Sequence, residues 1–237
     1  MLMKSIGDAV NGLIESQVPV LCLDTCDFAD VVRGIAEGNL FHAQSFLQMR
    51  DILDLDTRRF QPLITYLVRH EWDQNRPGIR RVVEQFLVQT ANSILKVADA
   101  RRIGGLPVSP MDLGLFDASL AQNLVELAED VMDRAVVLER DDSCVARALE
   151  RVMSQQRPSH KNQIKDSIHW EHYLELSRRL MAAGHSRDLR VFVSANKADF
   201  WANRDTPQIH PDLEAEAQAA GLRFFGRLDE ALRELGL

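Results

Sequence analysis

Pro19-Val20-Leu21-Cys22-Leu23-Asp24-Thr25 is the stretch on which the fold turns. An uncharged apolar run leads straight into an acid, the pattern of a strand covered on both faces that delivers a carboxylate to its carboxyl end. Leu189-Arg190-Val191-Phe192-Val193 reads the same way, ahead of a turn from Ser194 to Phe200 that carries Asp199. A third run, Pro62 to Val68, is apolar without alternation, and Glu71 follows within three residues. In an open parallel sheet, ligands bind at the carboxyl ends of the strands.

Working outward, Ile6, Val10, Leu13 and Ile14 share one face of a helix over residues 4 to 16. Helices are also expected over Phe28 to Glu37, stopped by Gly38, and over 42 to 54. From Ile79 to Ala100 the apolar positions follow the helical period, and Gly104-Gly105 with Pro107 and Pro110 break it. A helical pair, 117 to 134 and 141 to 155, follows, with Ala135-Val136-Val137-Leu138-Glu139 as either a strand or a connection. Asp166 opens a helix that Gly184 ends, and Leu222 to Phe225 with Leu228 to Leu235 give a closing strand and helix. Strands alternating with helices imply a mostly parallel sheet with helices on both faces.

A chain of 237 residues with 46% hydrophobic content suffices for one domain with a substantial core. No apolar run approaches the roughly 20 residues that cross a bilayer, and the first residues lack a signal-peptide core. A soluble cytoplasmic protein is expected, with Cys22, Cys26 and Cys144 as reduced thiols. The net charge of -7 argues against general nucleic-acid affinity, which comes from neutralised phosphates. That charge is uneven, however: Arg58-Arg59, Arg76 with Arg80-Arg81, Arg101-Arg102 and the stretch from Arg157 to Lys165 are basic clusters.

Four acids along the chain carry a resemblance to the PIN-like nuclease superfamily. Leu23-Asp24-Thr25-Cys26 stands where that family has a strand running into Asp-Thr-Asn, and Val68-Arg69-His70-Glu71-Trp72 where it has a helix-opening Glu. Lys165-Asp166-Ser167-Ile168 is similar to its third acidic motif, and Ser194-Ala195-Asn196-Lys197-Ala198-Asp199-Phe200 to its fourth. Two departures stand out: Cys26 replaces the Asn of the first motif, and Lys165 replaces the Gly before the third acid.

The resemblance implies a three-layer α/β/α sandwich over the whole chain, with a helical insertion at about 79 to 155. It also implies metal-dependent hydrolysis of RNA or DNA phosphodiesters, with single-stranded RNA as the expected substrate. Asp24, Glu71, Asp166 and Asp199 would bind Mg²⁺ or Mn²⁺ and carry catalysis, with Glu71 either ligating or orienting a metal-bound water. Thr25, Ser194 and Asn196 would support the ligands or touch phosphate. Glu171 lies about 140° around the helix from Asp166, which makes it a reserve ligand. Partners implied are nucleic acid, RNA foremost, and an inhibitor or regulatory protein, with no membrane.

Other readings compete. Asp24, Thr25 or Asp27 would also serve as a helix N-cap. His169 and His172, three apart on one helix, have zinc-binding spacing but no evident third ligand. Trp72 and Trp170 are read as core packing beside the acids. A PIN-like domain without turnover, acting as a binding module for nucleic acid or protein, is the principal alternative to the enzyme. An aspartyl phosphatase is disfavoured because no second Asp stands two residues after Asp24.

Overall fold

The computed structural model describes residues 3–55, 59–109, 113–117, 119–159, 164–203 and 206–237. In chain order the elements are β1 (Met3–Lys4), α1 (Ile6–Ser16), β2 (Val20–Leu23), α2 (Thr25–Glu37), α3 (Phe41–Leu53), β3 (Gln61–Thr65) and α4 (Tyr66–Ile103). There follow α5 (Ser119–Arg134), β4 (Val136–Leu138), α6 (Asp142–Met153), α7 (Ile164–Ala182), β5 (Arg190–Val193), α8 (Pro211–Ala220), β6 (Arg223–Phe225) and α9 (Leu228–Glu234).

The strands form one sheet in the order β1-β4-β3-β2-β5-β6, and every pairing in it is parallel. Helices cover both faces, as a three-layer α/β/α sandwich requires. One core lies between the sheet and α2, α3, α4, α5 and α9, built on Leu21, Leu23, Phe28, Phe46, Ile64 and Trp72. The other lies under α1, α7 and α8, built on Cys22, Leu63, Trp170, Tyr173, Phe192 and Phe200. Leu21 and Leu23 enter the first core and Cys22 the second, which is the period-two alternation of a strand buried on both faces.

From β2 the chain builds outward through β3 and β4, then crosses back to place β5 on the other side of β2. The β2/β5 junction is therefore the point where strand order reverses, and its carboxyl end is the natural binding crevice. Register fixes the two ends level, with Leu23 opposite Val193, so Asp24 and Ser194 leave the sheet side by side.

Several local expectations are corrected. The strand read as 62 to 68 ends at Thr65, and α4 begins at Tyr66 rather than Ile79. Val68 and Trp72, four apart, bury one helical face, and Val83 and Leu87 continue it beyond Pro77. Pro77 is exposed, so the hydrogen bond it cannot make faces solvent. The region expected as a helical insertion contains β4, which pairs with both β3 and β1 and belongs to the sheet. β1 and α8 were not anticipated. Gly38, with φ 71°, ends α2 as expected, and a side chain at Gly34 would collide with the Asn39 carbonyl.

Among the described residues no helix is long and apolar enough to cross a membrane. Cys22, Cys26 and Cys144 are all free thiols. Of the basic clusters, Arg58 and the stretch 160–163 lie outside the described residues. Arg76 pairs with Glu129, Arg80 with Glu84, and Arg102 with Asp99, so part of the positive charge is neutralised locally.

Candidate active site

Asp24 is the residue at which capping and site chemistry coincide. It is the N-cap of α2, with Asp24 Oδ1 accepting the Thr25 N–H at 2.6 Å and Asp27 Oδ2 accepting the Asp24 N–H at 3.0 Å in a capping box. Its other oxygen, Oδ2, accepts the Ser194 hydroxyl at 2.7 Å and the Cys26 thiol at 3.3 Å. Asp27, fully buried, serves the cap; burial first and the Asp24 charge second push its carboxyl well above the ordinary range.

Asp24, Thr25, Cys26, Glu71, Asp166 and Asn196 line one cavity of about 760 Å³, which α2 also borders through Arg33 and α4 through Ile79. Three of the four expected acids thus share a single space, although they come from the junction of β2 and α2, from α4 and from α7. Asp166, in the first turn of α7, accepts the Asn196 amide at 3.1 Å. Burial raises its pKa to about 8, helped by the charges of Asp24, Asp199 and Glu71 and opposed by His169. Asp199 is buried but does not line the cavity, and its Oδ1 has no hydrogen-bond partner.

Glu71 differs. Oε1 lies 2.9 Å from the Lys165 ammonium, and Oε2 accepts the Thr25 hydroxyl at 2.5 Å and faces His169 Nε2 at 3.5 Å. Burial alone would raise its pKa, but the His169 imidazole, Thr25 and Lys165 outweigh it and hold the carboxyl down at about 2. His169 is itself steadied by Thr65, whose Oγ1 is 2.6 Å from Nδ1. Burial would lower the His169 pKa, yet Glu71, Asp24 and Asp166 raise it overall.

The other sequence candidates divide cleanly. Ser194 joins Asp24 to the loop after β5, since its hydroxyl also accepts the Asn196 N–H at 3.2 Å. Asn196 spans to Asp166, and Thr25 to Glu71. Glu171 points away from the cavity and pairs with Arg147 at 2.7 Å and Arg151 at 2.6 Å, tying α7 to α6. His172 has both ring nitrogens engaged, by Ile168 O and the Asp141 N–H, so it has none left to join His169 as a zinc ligand. Trp72 and Trp170 are buried, with indole N–H groups on Glu129 and Glu216. Lys165 and His169 were not expected in the site, although both lie within one helical turn of Asp166.

The donor chemistry of Asp24 and Asp166, carboxylates short of positive charge with Ser194 and Asn196 behind them, fits a hard divalent cation. The arrangement is not a ready-made cage. Among the described residues no group of three or more His, Cys, Asp or Glu side chains is placed to hold a metal ion. Glu71 is turned to Lys165 and Thr25, and Asp199, buried, is not among the residues that line the cavity. No protein-family model, curated protein or solved structure matches the chain.

Proposed function

We propose that the chain is a divalent-metal-dependent nuclease that hydrolyses phosphodiester bonds in single-stranded RNA. The observation that carries this reading is the meeting of Asp24, Glu71 and Asp166 on one cavity, where burial and neighbouring carboxylates oppose the ionisation of Asp166. Mg²⁺ or Mn²⁺ bound by Asp24 and Asp166 would supply an activated water and offset charge on the phosphate.

The chain's own groups prepare that chemistry. Thr25 N–H and Ser194 Oγ–H fix the two oxygens of Asp24, and the Asn196 amide fixes Asp166. Arg33, on the cavity wall, offers a guanidinium to a phosphate, at the expense of its ion pairs with Asp30 and Glu37. Asp24 and Asp166 are both recessed, at 3% and 8% exposure. A single strand can bend one phosphate inward to reach them, whereas a stacked duplex backbone resists such bending. That favours single strands.

A second reading, a PIN-like binding module without turnover, draws on the lack of a metal-holding group among the described residues and on Cys26 in place of an amide. One experiment separates the two: incubate the purified chain with labelled single- and double-stranded RNA and DNA, in Mn²⁺, Mg²⁺ or EDTA. The nuclease reading expects single-stranded RNA to be cut with either metal and spared in EDTA. Binding without cleavage under every condition would favour the module.

A further inference from the structure

Glu71 and Asp166 line the same cavity in opposite electrostatic surroundings. The ion pair at the site goes to Glu71: Lys165 Nζ stands 2.9 Å from Oε1, and His169 Nε2, which carries charge only when the ring is protonated, stands 3.5 Å from Oε2. Asp24 and Asp166 receive uncharged donors instead, from Thr25, Ser194, Cys26 and Asn196. None of the described residues forms an ion pair with either. The acidic cavity therefore has one carboxylate already supplied with a cation by the chain and two that are not.

Lys165 is the immediate neighbour of Asp166 on the first turn of α7, so one helical turn carries both a metal-seeking acid and the cation that serves Glu71. In two-metal sites the ions sit about 3.5 to 4 Å apart, and a second ion here would need Glu71, the remaining acid on the cavity. We propose that the Lys165 ammonium takes the place of a second divalent cation at Glu71, so that the site holds a single ion on Asp24 and Asp166. Glu71 is then a positioning residue: it anchors Lys165 and, through Thr25, the first turn of α2. The ammonium, on a half-exposed side chain, is held beside the cavity where it can meet a phosphate oxygen. This rests on the metal-dependent reading above.

The test is calorimetric titration of the metal-stripped full chain with MnCl₂, without nucleic acid. The wild type should bind one Mn²⁺. Glu71→Gln should change its affinity by less than about threefold, while Asp24→Asn and Asp166→Asn should weaken it by at least about tenfold. Lys165→Ala should admit a second, weaker Mn²⁺, and adding Glu71→Gln to that variant should remove it. Lys165→Met, which keeps the side chain's bulk, should behave as Lys165→Ala. Two ions in the wild type, one ion in both Lys165 variants, or equal weakening by Glu71→Gln and Asp166→Asn would overturn the single-ion inference and leave the metal reading standing. No Mn²⁺ bound to the wild type would overturn both.

Discussion

Ser194 Oγ donates to Asp24 Oδ2 at 2.7 Å, joining the carboxyl ends of β2 and β5 across the point where strand order reverses. The contact is buried, and it fixes the oxygen of Asp24 that the α2 cap leaves unused. Ser194→Ala should keep the fold at a cost of about 1 kcal/mol, the ordinary value of one hydrogen bond. Mn²⁺ affinity should fall about 10-fold or more, because an oriented carboxylate becomes a mobile one. Chemical denaturation and metal titration of the variant check the two halves.

Asp24 caps α2 and, on the proposed function, also binds the metal; one pair of variants separates the two. Asn preserves an N-cap and Ala does not, so Asp24→Ala should lose about 1 kcal/mol more stability than Asp24→Asn. Both should lower turnover by at least about 100-fold, since the anionic ligand is gone in each. Equal stability of the two would show that the cap contributes little. A normal rate in folded Asp24→Asn would remove Asp24 from the chemistry.

Asp166 gives a pH signature. Its folded pKa is raised to about 8 from an ordinary value of 3.8, so the protonated form is the one the fold favours. Stability from this group is full below about pH 4 and is lost as pH rises through about 8. In EDTA, Asp166→Asn should stabilise the protein by about 1 to 3 kcal/mol at pH 8.5 and by little at pH 4. Thermal melts across pH read it, and a constant difference between the two proteins would contradict it.

Glu171 should behave in the opposite way to the cavity acids. Glu171→Gln leaves Arg147 and Arg151 short of a buried partner, although Glu175 and Glu216 remain. A loss of about 2 to 4 kcal/mol is expected, with turnover per folded molecule within about twofold of wild type. A selective loss of turnover without loss of stability would restore it to the site.

What the sequence makes legible is governed by how many residues carry each signal. β2 stands out because it is an unbroken apolar run, β5 because three large apolar residues follow Arg190, and Asp24 because it directly follows β2. β4, three residues long between two helices, offers too little pattern to tell a strand from a connection. α8 escapes because only Leu213, Ala217 and Ala220 of its residues are buried, so no apolar stripe marks it; Pro211 and Gly221 at its ends were the available signs. Within the site, the acids announce themselves, but the role of Glu71 depends on groups brought from α2 and α7. Only the fold shows that Lys165 and His169 face it while Glu171, on the same helix, faces away.

On the proposed function, Asp24 and Asp166 form a metal-dependent phosphodiesterase centre. Single-turnover cleavage of end-labelled single-stranded RNA in Mn²⁺, by wild type, Asp24→Asn and Asp166→Asn, tests it most directly. Mn²⁺-dependent cleavage by the wild type is expected, with a rate lower by at least about 100-fold in each folded variant. Cleavage that persists in EDTA, or folded variants that cut at the wild-type rate, would contradict it.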